Sequence, residues 1–371
     1  MSLAAIQPST PDFYDRLGPI SVLIADNNVT EIMVMGARDV YVEVRGKIVL
    51  TDVKFHDENQ LLDVIKFIVE SVGRRIDEEN PLCDARLPSG ARVHAAIPPV
   101  AVDGPLLTIR KFASDLLQAS DLVALGSCSP AGLAFLQVCV MGRANILISG
   151  GAGTGKTTLL NILSGYVSDD ERIVTIEDAA ELQLRQRHVA RLEARPSGTE
   201  RGKEINIRDL VITSLRMRPD RIVVGEVRGP EALDMLQAMN TGHSGSMTTI
   251  HANKPRDALS RVETLVMMAG FDLPARAIRA QIASGINIVA HLERVRDGSR
   301  KLTRISEITG MEDDVISMQD IFVFKPEGAD QYGRVVGAFV QSGIRPRMLE
   351  RFEELGLRLP EEIARLFPGS A

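Results

Sequence analysis

The stretch GGAGTGKTT is the most specific chemical signal in this sequence of 371 residues. From Gly150 to Thr157 it fits the pattern G-x-x-x-x-G-K-[ST], directly after the apolar run NILIS and at the start of a helical segment. Glycines let backbone N–H groups curl round a polyanion, and a helix start adds partial positive charge. Lys156 can reach the β- and γ-phosphates of a nucleotide, whereas a glycine-rich turn without a ligand is the alternative. The predicted nucleotide-binding residues are Gly150, Gly151, Ala152, Gly153, Thr154, Gly155, Lys156, Thr157 and Thr158.

Carboxylates after two predicted strands are the candidates for hydrolysis. Glu226 follows the apolar strand of RIVVGE, where a water-activating carboxylate usually stands, and Gly225 takes the place of the usual metal-binding Asp. A second acid must then help with the metal, and Glu177 in IEDAAEL is our first choice for this shared role. Solvated acids at strand ends are the alternative for both. The predicted cofactors are ATP and Mg²⁺, with Thr157, Glu177 and Glu226 holding the metal, partly through water.

Two histidines, His243 and His251, lie in the polar stretch TGHSGSMTTIHAN. Zinc would need two further ligands in good geometry, and no cysteine is near. A serine nucleophile would need the pattern G-x-S-x-G, which GHSGS does not match. Packed or capping histidines are the plainer alternative. We predict that both histidines sense the γ-phosphate from a run that can shift without breaking a core, and that they hold no metal.

Hydrophobic spacing predicts the elements that position these side chains. Strands are predicted over residues 29–50, and a helix over 57–72 that Gly73 ends. Two further strands are predicted in ARVHAAI and LLTIRKF, so the first ~112 residues form a small α+β domain.

Beyond this domain, apolar strands and amphipathic helices alternate, which predicts a mostly parallel sheet with helices on both faces. A segment rich in Gly, Ser and Pro, ALGSCSPAG, is the predicted inter-domain boundary. The predicted division is a flexible N-terminus (1–16), an N-terminal α+β domain (17–123), a linker (124–132), an α/β domain (133–310) and a C-terminal appendage (311–371) ending in a helix at 345–366.

Composition restricts the class of protein. Hydrophobic residues make up 44% of the chain and charged residues 25%, which is typical of a soluble globular protein. Three scattered cysteines without CxxC spacing indicate a reducing cytosol. No apolar run reaches the roughly 18 residues that span a bilayer. The net charge of −6, and the lack of an aromatic and basic strand that could stack bases, predict no nucleic-acid partner.

Four stretches together resemble the motifs of a known superfamily. GGAGTGKTT, TIEDAAEL, RPDRIVVGEVRGPEA and TGHSGSMTTIHAN are similar to the Walker A motif, Asp box, Walker B motif and His box of type II/type IV secretion traffic ATPases. The Asp and His boxes are peculiar to that superfamily. Further stretches, among them RLPSGARVHAAIPP and SGIRPRMLERFEELGLRLP, resemble the CpaF-type branch, which drives tight-adherence (Tad/Flp) pili.

The resemblance implies a RecA-like P-loop domain joined to a small PAS-like N-terminal α+β domain, assembled as a homo-hexameric ATPase motor. The motor would lie in the cytoplasm, peripheral at the inner membrane, and power pilus assembly or secretion through a platform protein. His243 and His251 would be the His-box histidines, and Arg92 and Arg110 match N-terminal-domain arginines that reach nucleotide phosphates in relatives. A guanidinium suits bidentate phosphate binding, whereas strand-edge arginines in solvent are the alternative.

Two functions fit these motifs. One is the motor, and the other is a nucleotide-dependent regulatory switch with low turnover. A switch would share the P-loop but would not need all the acids, nor arginines in a separate domain. The arginines that flank the Walker B strand are open candidates for a group acting across a subunit boundary: Arg216, Arg218, Arg221 and Arg228.

Overall fold

The structure, a computed structural model, describes residues 11–44, 46–87, 89–111, 117–195 and 203–368. These residues form two compact units. The first unit contains the described residues up to 111, and the second contains those from 117 onward. Of the predicted flexible N-terminus (1–16), residues 1–10 lie outside the described residues, and the rest begins with a short helix in which Phe13 is buried.

The first unit is one antiparallel sheet with three α-helices. Its elements are α1 (Pro11–Asp15), α2 (Ser21–Ala25), β1 (Val29–Met35), β2 (Asp39–Val44), β3 (Lys47–Leu50), α3 (Glu58–Ser71), β4 (Leu82–Arg86), β5 (Arg92–Ala96) and β6 (Leu106–Arg110). Its strand order is β3-β2-β1-β6-β5-β4. Asp57 caps the long helix by accepting a hydrogen bond from the backbone N–H of Gln60, and the helix buries one apolar stripe in the same core as the strands. The small α+β domain is therefore confirmed.

The second unit is built on a nine-stranded mixed sheet. Its strands are β7 (Ile146–Gly150), β8 (Ile173–Glu177), β9 (Val189–Glu193), β10 (Arg221–Val224), β11 (Met247–His251), β12 (Ile288–Arg294), β13 (Arg300–Glu312), β14 (Val315–Ala329) and β15 (Val335–Gln341). The order is β15-β14-β13-β12-β7-β11-β10-β8-β9. The six strands from β12 to β9 are parallel, and β13, β14 and β15 extend the sheet in antiparallel fashion. The predicted mostly parallel sheet is confirmed.

Helices cover both faces of this sheet. They are α4 (Ala119–Ala124), α5 (Pro130–Met141), α6 (Lys156–Ser164), α7 (Ile207–Ser214), α8 (Glu231–Asn240), α9 (Pro255–Met267), α10 (Ala275–Gly285), α11 (Arg347–Glu354) and α12 (Glu361–Leu366). One core cluster joins the sheet to α5, α6, α11 and α12, and the other joins it to α7, α8, α9 and α10. Among the described residues, no helix is both long enough and apolar enough to cross a bilayer.

The structure differs from the predicted segment limits in three places. The segment 124–132 belongs to the second unit, where Ser129 caps α5 and Lys301 Nζ donates to the Gly126 carbonyl at 2.7 Å. The boundary at 310/311 falls inside β13, because the appendage continues the same sheet. The predicted helix at 345–366 is two helices, α11 and α12, because Gly356 adopts the left-handed conformation after the first.

The polar stretch around the two histidines is also different from its prediction. Met247–His251 is β11, a strand in the middle of the sheet, and its threonines are fully buried. Threonine suits this place because it is β-branched, and the Thr249 hydroxyl donates to the Gly225 carbonyl at 2.7 Å. This segment therefore cannot shift without breaking a core.

The amino-terminal edge of the parallel strands is held by buried polar groups. Arg221, at the start of β10, is 1% exposed and pairs with Glu171 through two hydrogen bonds of 2.7 and 2.9 Å. Asn145, just before β7, accepts hydrogen bonds from the backbone N–H groups of Gly245 and Ser246. These contacts fix where β7, β10 and β11 begin.

We expect Arg221→Ala to lower the free energy of unfolding by roughly 3–5 kcal/mol, because a buried carboxylate loses its closest partner. Arg143→Ala is the matched control, since Arg143 contacts the same Glu171 from a side chain that is 44% exposed. The control should cost no more than about 1 kcal/mol. Urea unfolding measures both variants, and equal losses would contradict this description of the edge.

Candidate nucleotide site

The glycine-rich loop joins β7 to α6, as its sequence predicts. A Cβ atom on Gly150 would collide with the Leu292 carbonyl oxygen and lie 2.7 Å from Thr154 Oγ1. Gly153 and Gly155 have φ values of 66° and 96°, a region that side chains other than glycine rarely adopt. The loop is thus a cradle whose glycines are required by packing and by backbone conformation.

Lys156, the first residue of α6, is 7% exposed at this cradle. Its Nζ donates to the Gly151 carbonyl at 2.8 Å and lies 3.4 Å from His251 Nδ1. Thr157 follows it in the first turn of the helix. The helix start and the ammonium place positive charge where the phosphates of a nucleotide would lie.

Glu226 and His251 form the second part of the site. The Nε2 atom of His251 lies 3.0 Å from Glu226 Oε1, and Arg228 Nη2 donates to Glu226 Oε2 at 2.8 Å. Burial, and then the charge of Lys156, lower the pKa of His251 below its ordinary value of 6.5. The imidazole is therefore neutral at pH 7, and it stands between an ammonium and a carboxylate.

The register of the central strands brings these residues together. His251 pairs with Gly150 where β11 meets β7, and Val224 pairs with Thr248 where β10 meets β11. The carboxyl ends of the parallel strands therefore meet at the P-loop. This edge is where ligands bind in open α/β sheets.

His243 does not reach this edge. It precedes β11 by a turn, and its carbonyl accepts a hydrogen bond from Ser246 Oγ near the start of β10. The length of β11, about 13 Å at 3.3 Å per residue, separates it from His251. One zinc ion cannot bind both histidines, and His243 cannot contact a phosphate in the P-loop of its own chain.

Glu177 ends β8 on the same edge as Glu226. It is 3% exposed, and its Oε1 accepts hydrogen bonds from the N–H groups of Glu181 and Leu182 at 2.8 and 2.9 Å. Its Oε2 is buried without a hydrogen-bond donor among the described residues. Its side chain packs on Gly225, where an added Cβ would lie 3.0 Å from Glu177 Cγ, which explains why this position lacks a side chain.

The predicted Mg²⁺ ligands fit a metal that is held mainly by a nucleotide. Among the described residues, no three His, Cys, Asp or Glu side chains form a cluster that could hold a metal ion. Mg²⁺ usually takes one or two protein ligands and completes its shell with phosphates and water. The Thr157 hydroxyl and the unpartnered oxygen of Glu177 suit that arrangement.

The structure adds Arg228 to the site. Its guanidinium bridges Glu226 and Asp178, with contacts of 2.8 and 3.0 Å, and so joins the ends of β10 and β8. The sequence placed Arg228 only as one of four candidates flanking β10. Arg221 is excluded as a group acting across a subunit boundary, because it is buried against Glu171, whereas Arg216 and Arg218 are exposed.

Arg92 and Arg110 are direct cross-strand neighbours in the first unit. Arg92 of β5 pairs in register with both Arg110 of β6 and Arg86 of β4. The three arginines therefore form one row of like charges across adjacent strands. The action of Arg92 and Arg110 on nucleotide phosphates stays a prediction.

Known proteins resemble this chain over most of its length. The profile of the family described as "Type II/IV secretion system protein" matches residues 14–336. A Mycobacterium tuberculosis protein, provisionally described as a conjugal transfer protein, is 36% identical over 82% of this chain and 92% of its own. The type IV secretion system protein VirB11 of Bartonella henselae is 31% identical over 78% and 91%. The crystal structure of the Legionella pneumophila ATPase DotB has a similar fold, with a TM-score of 0.56, 21% identity and coverage of 80% and 81%.

Burial raises the pKa of Glu177 above its ordinary value of 4.5, so its native state favours the protonated form. The ionised carboxylate then costs stability, and the wild-type free energy of unfolding should fall as pH rises from 4.5 through the raised pKa. We expect Glu177→Gln to remove this fall, so that the variant gains stability relative to wild type between pH 4.5 and 8. Urea unfolding between pH 4.5 and 8 measures the free energy of unfolding of both proteins, and Glu327→Gln, at an exposed position, is the control. Identical pH profiles for Glu177→Gln and wild type would contradict a raised pKa at Glu177.

Proposed function

We propose that this chain, which belongs to the type II/IV secretion ATPase superfamily, is a motor that binds ATP at its P-loop and hydrolyses it. The observation that carries the proposal is the group formed by Lys156, His251 and Glu226. It joins the phosphate-binding ammonium to a carboxylate through a neutral imidazole, within contacts of 3.4 and 3.0 Å. A loop that only binds nucleotide does not need this carboxylate.

In this proposal Glu226 orients the attacking water and accepts its proton. Arg228 donates a hydrogen bond to Oε2 of Glu226. Oε1, the oxygen that faces His251, is then the atom that accepts the proton. His251 donates one N–H to Glu226 or to a phosphate oxygen and so responds to the γ-phosphate. When bound with ATP, Mg²⁺ supplies positive charge to the phosphates, and Thr157 and Glu177 are the residues that would hold it, partly through water.

In the proposed motor, the first unit would move with the nucleotide state. We propose that Arg92 and Arg110 contact the phosphates of ATP and move with the nucleotide state. Their cross-strand pairing supports a shared role, because two guanidinium groups at one place can bind a polyanion bidentately. Exposed Arg216 and Arg218 are the remaining candidates for a contact across a subunit boundary.

For the biological role, we propose that the chain forms a CpaF-type homo-hexamer that powers assembly of a Tad/Flp-type pilus. It would act from the cytoplasm, peripherally at the inner membrane, through a platform protein, without nucleic acid as a partner. Export through a type IV secretion machine is the second candidate, and the names of the conjugal transfer and VirB11 relatives favour it. A regulatory switch with low turnover is the third.

We expect Glu226→Gln to bind ATP with unchanged affinity and to lose turnover by roughly 10²–10⁴-fold, because an amide cannot accept the proton. Lys156→Ala should lose most binding, and exposed Glu327→Gln should behave as wild type. Equilibrium binding and steady-state phosphate release measure these effects.

The wild-type rate per subunit should rise with protein concentration if a ring forms. A rate near zero at every concentration would favour the switch. Unchanged turnover in Glu226→Gln with loss in Glu177→Gln would exchange the roles of the two acids.

A further inference from the structure

A basic side chain outside the predicted motifs lies against the P-loop. Arg300, the first residue of β13, donates from Nε to the Gly153 carbonyl at 2.8 Å. Its Cδ lies 3.6 Å from the place where a Cβ on Gly155 would stand. The stem of the arginine therefore rests on the outer face of the glycine-rich loop.

The hairpin between β12 and β13 fixes Arg300 in this place. Arg294 and Arg300 are paired in register, and the Val295 N–H donates to the Ser299 carbonyl at 2.9 Å across the turn. Asp297 accepts a hydrogen bond from the Ser299 N–H and another from the Val335 N–H of β15. The position of Arg300 thus follows from a closed turn rather than from a free loop.

Lys156 and Arg300 stand on different sides of the loop. β7 lies between β11 and β12 in the sheet, and Lys156 points to the β11 side, where His251 and Glu226 lie. Arg300 belongs to the β12 and β13 side. If the γ-phosphate faces Glu226, the rest of the nucleotide extends toward the other side. The loop also directs its N–H groups inward to the phosphates, so the Gly153 carbonyl, and Arg300 with it, lies outside the phosphate cradle.

We propose that Arg300 contacts the nucleoside of the bound nucleotide, with its guanidinium plane stacked on the base. This inference rests on the proposed binding of ATP at the P-loop. A guanidinium group is planar and stacks on an aromatic face, whereas an ammonium group has no plane to stack and acts there only as a point charge. The P-loop, β12 and β13 contain no Phe, Tyr or Trp, so an arginine is the suitable stacking group that these elements offer on this side.

The test compares three ligands with Mg²⁺ present: ATP, ADP and inorganic tripolyphosphate. We expect Arg300→Ala and Arg300→Lys to weaken ATP and ADP alike by about tenfold, equivalent to about 1.4 kcal/mol. Tripolyphosphate, which has no nucleoside, should bind both variants within about twofold of wild type by calorimetry, which also shows that the loop is intact. Arg296→Ala, an exposed arginine of the same turn, is the matched control and should bind all three as wild type does.

Three results would overturn the proposal. Wild-type affinity for ATP in Arg300→Ala removes any nucleoside contact. Full affinity in Arg300→Lys, with loss in Arg300→Ala, indicates a charge contact with phosphate. Loss of tripolyphosphate binding in Arg300→Ala indicates phosphate contact or support of the loop. Failure of wild type to bind ATP at all would instead reject the proposed function, which separates the two claims.

Discussion

The register between β7 and β11 is the constraint on which the rest of the site depends. His251 pairs with Gly150, so the end of a buried central strand lies beside the first glycine of the phosphate loop. From this pairing follow the contacts of His251 with Lys156 and Glu226. A strand that slipped by one residue would turn the imidazole to the other face of the sheet. The chemistry is therefore specified by backbone hydrogen bonds, before any side chain is considered.

The buried polar groups at the two edges of the parallel strands differ in how their hydrogen bonds are satisfied. At the amino-terminal edge, Arg221 and Asn145 are buried with their hydrogen bonds satisfied, and they hold the strands in register. At the carboxyl-terminal edge, Glu177 keeps an oxygen without a donor among the described residues. Unsatisfied buried groups cost stability, so they are tolerated where a ligand completes them. His243 Nδ1, near the amino-terminal edge, also lacks a hydrogen-bond partner among the described residues, so the Glu177 oxygen supports the proposed ligand contact only together with its position beside the P-loop.

The sequence predicted the elements of the fold well. It also placed the glycine-rich loop between a strand and a helix, and Glu177 and Glu226 at strand ends, because these positions follow from the apolar strand pattern alone, whereas the roles of these residues stay predictions. Prediction from sequence failed where contacts between distant parts of the chain determine the position of a residue. Thr248 and Thr249 are polar residue types, yet the structure buries both in the central strand β11. His243 precedes this strand and His251 ends it, so the single role predicted for the two histidines does not fit His243. Arg300 is 147 residues from Gly153 in the chain, and only the hairpin that closes on the loop brings the two into contact. Sequence spacing carries no information about such a contact.

The central claim is that Glu226 and His251 act as one unit on the nucleotide. A double-mutant cycle with Glu226→Gln and His251→Ala, read as single-turnover hydrolysis at saturating ATP, tests it most directly. Residues that act as a unit are strongly non-additive, so the double variant should be no slower than Glu226→Gln alone. If the two losses multiply instead, each residue contributes independently, and the account of a single group at the end of β11 is wrong.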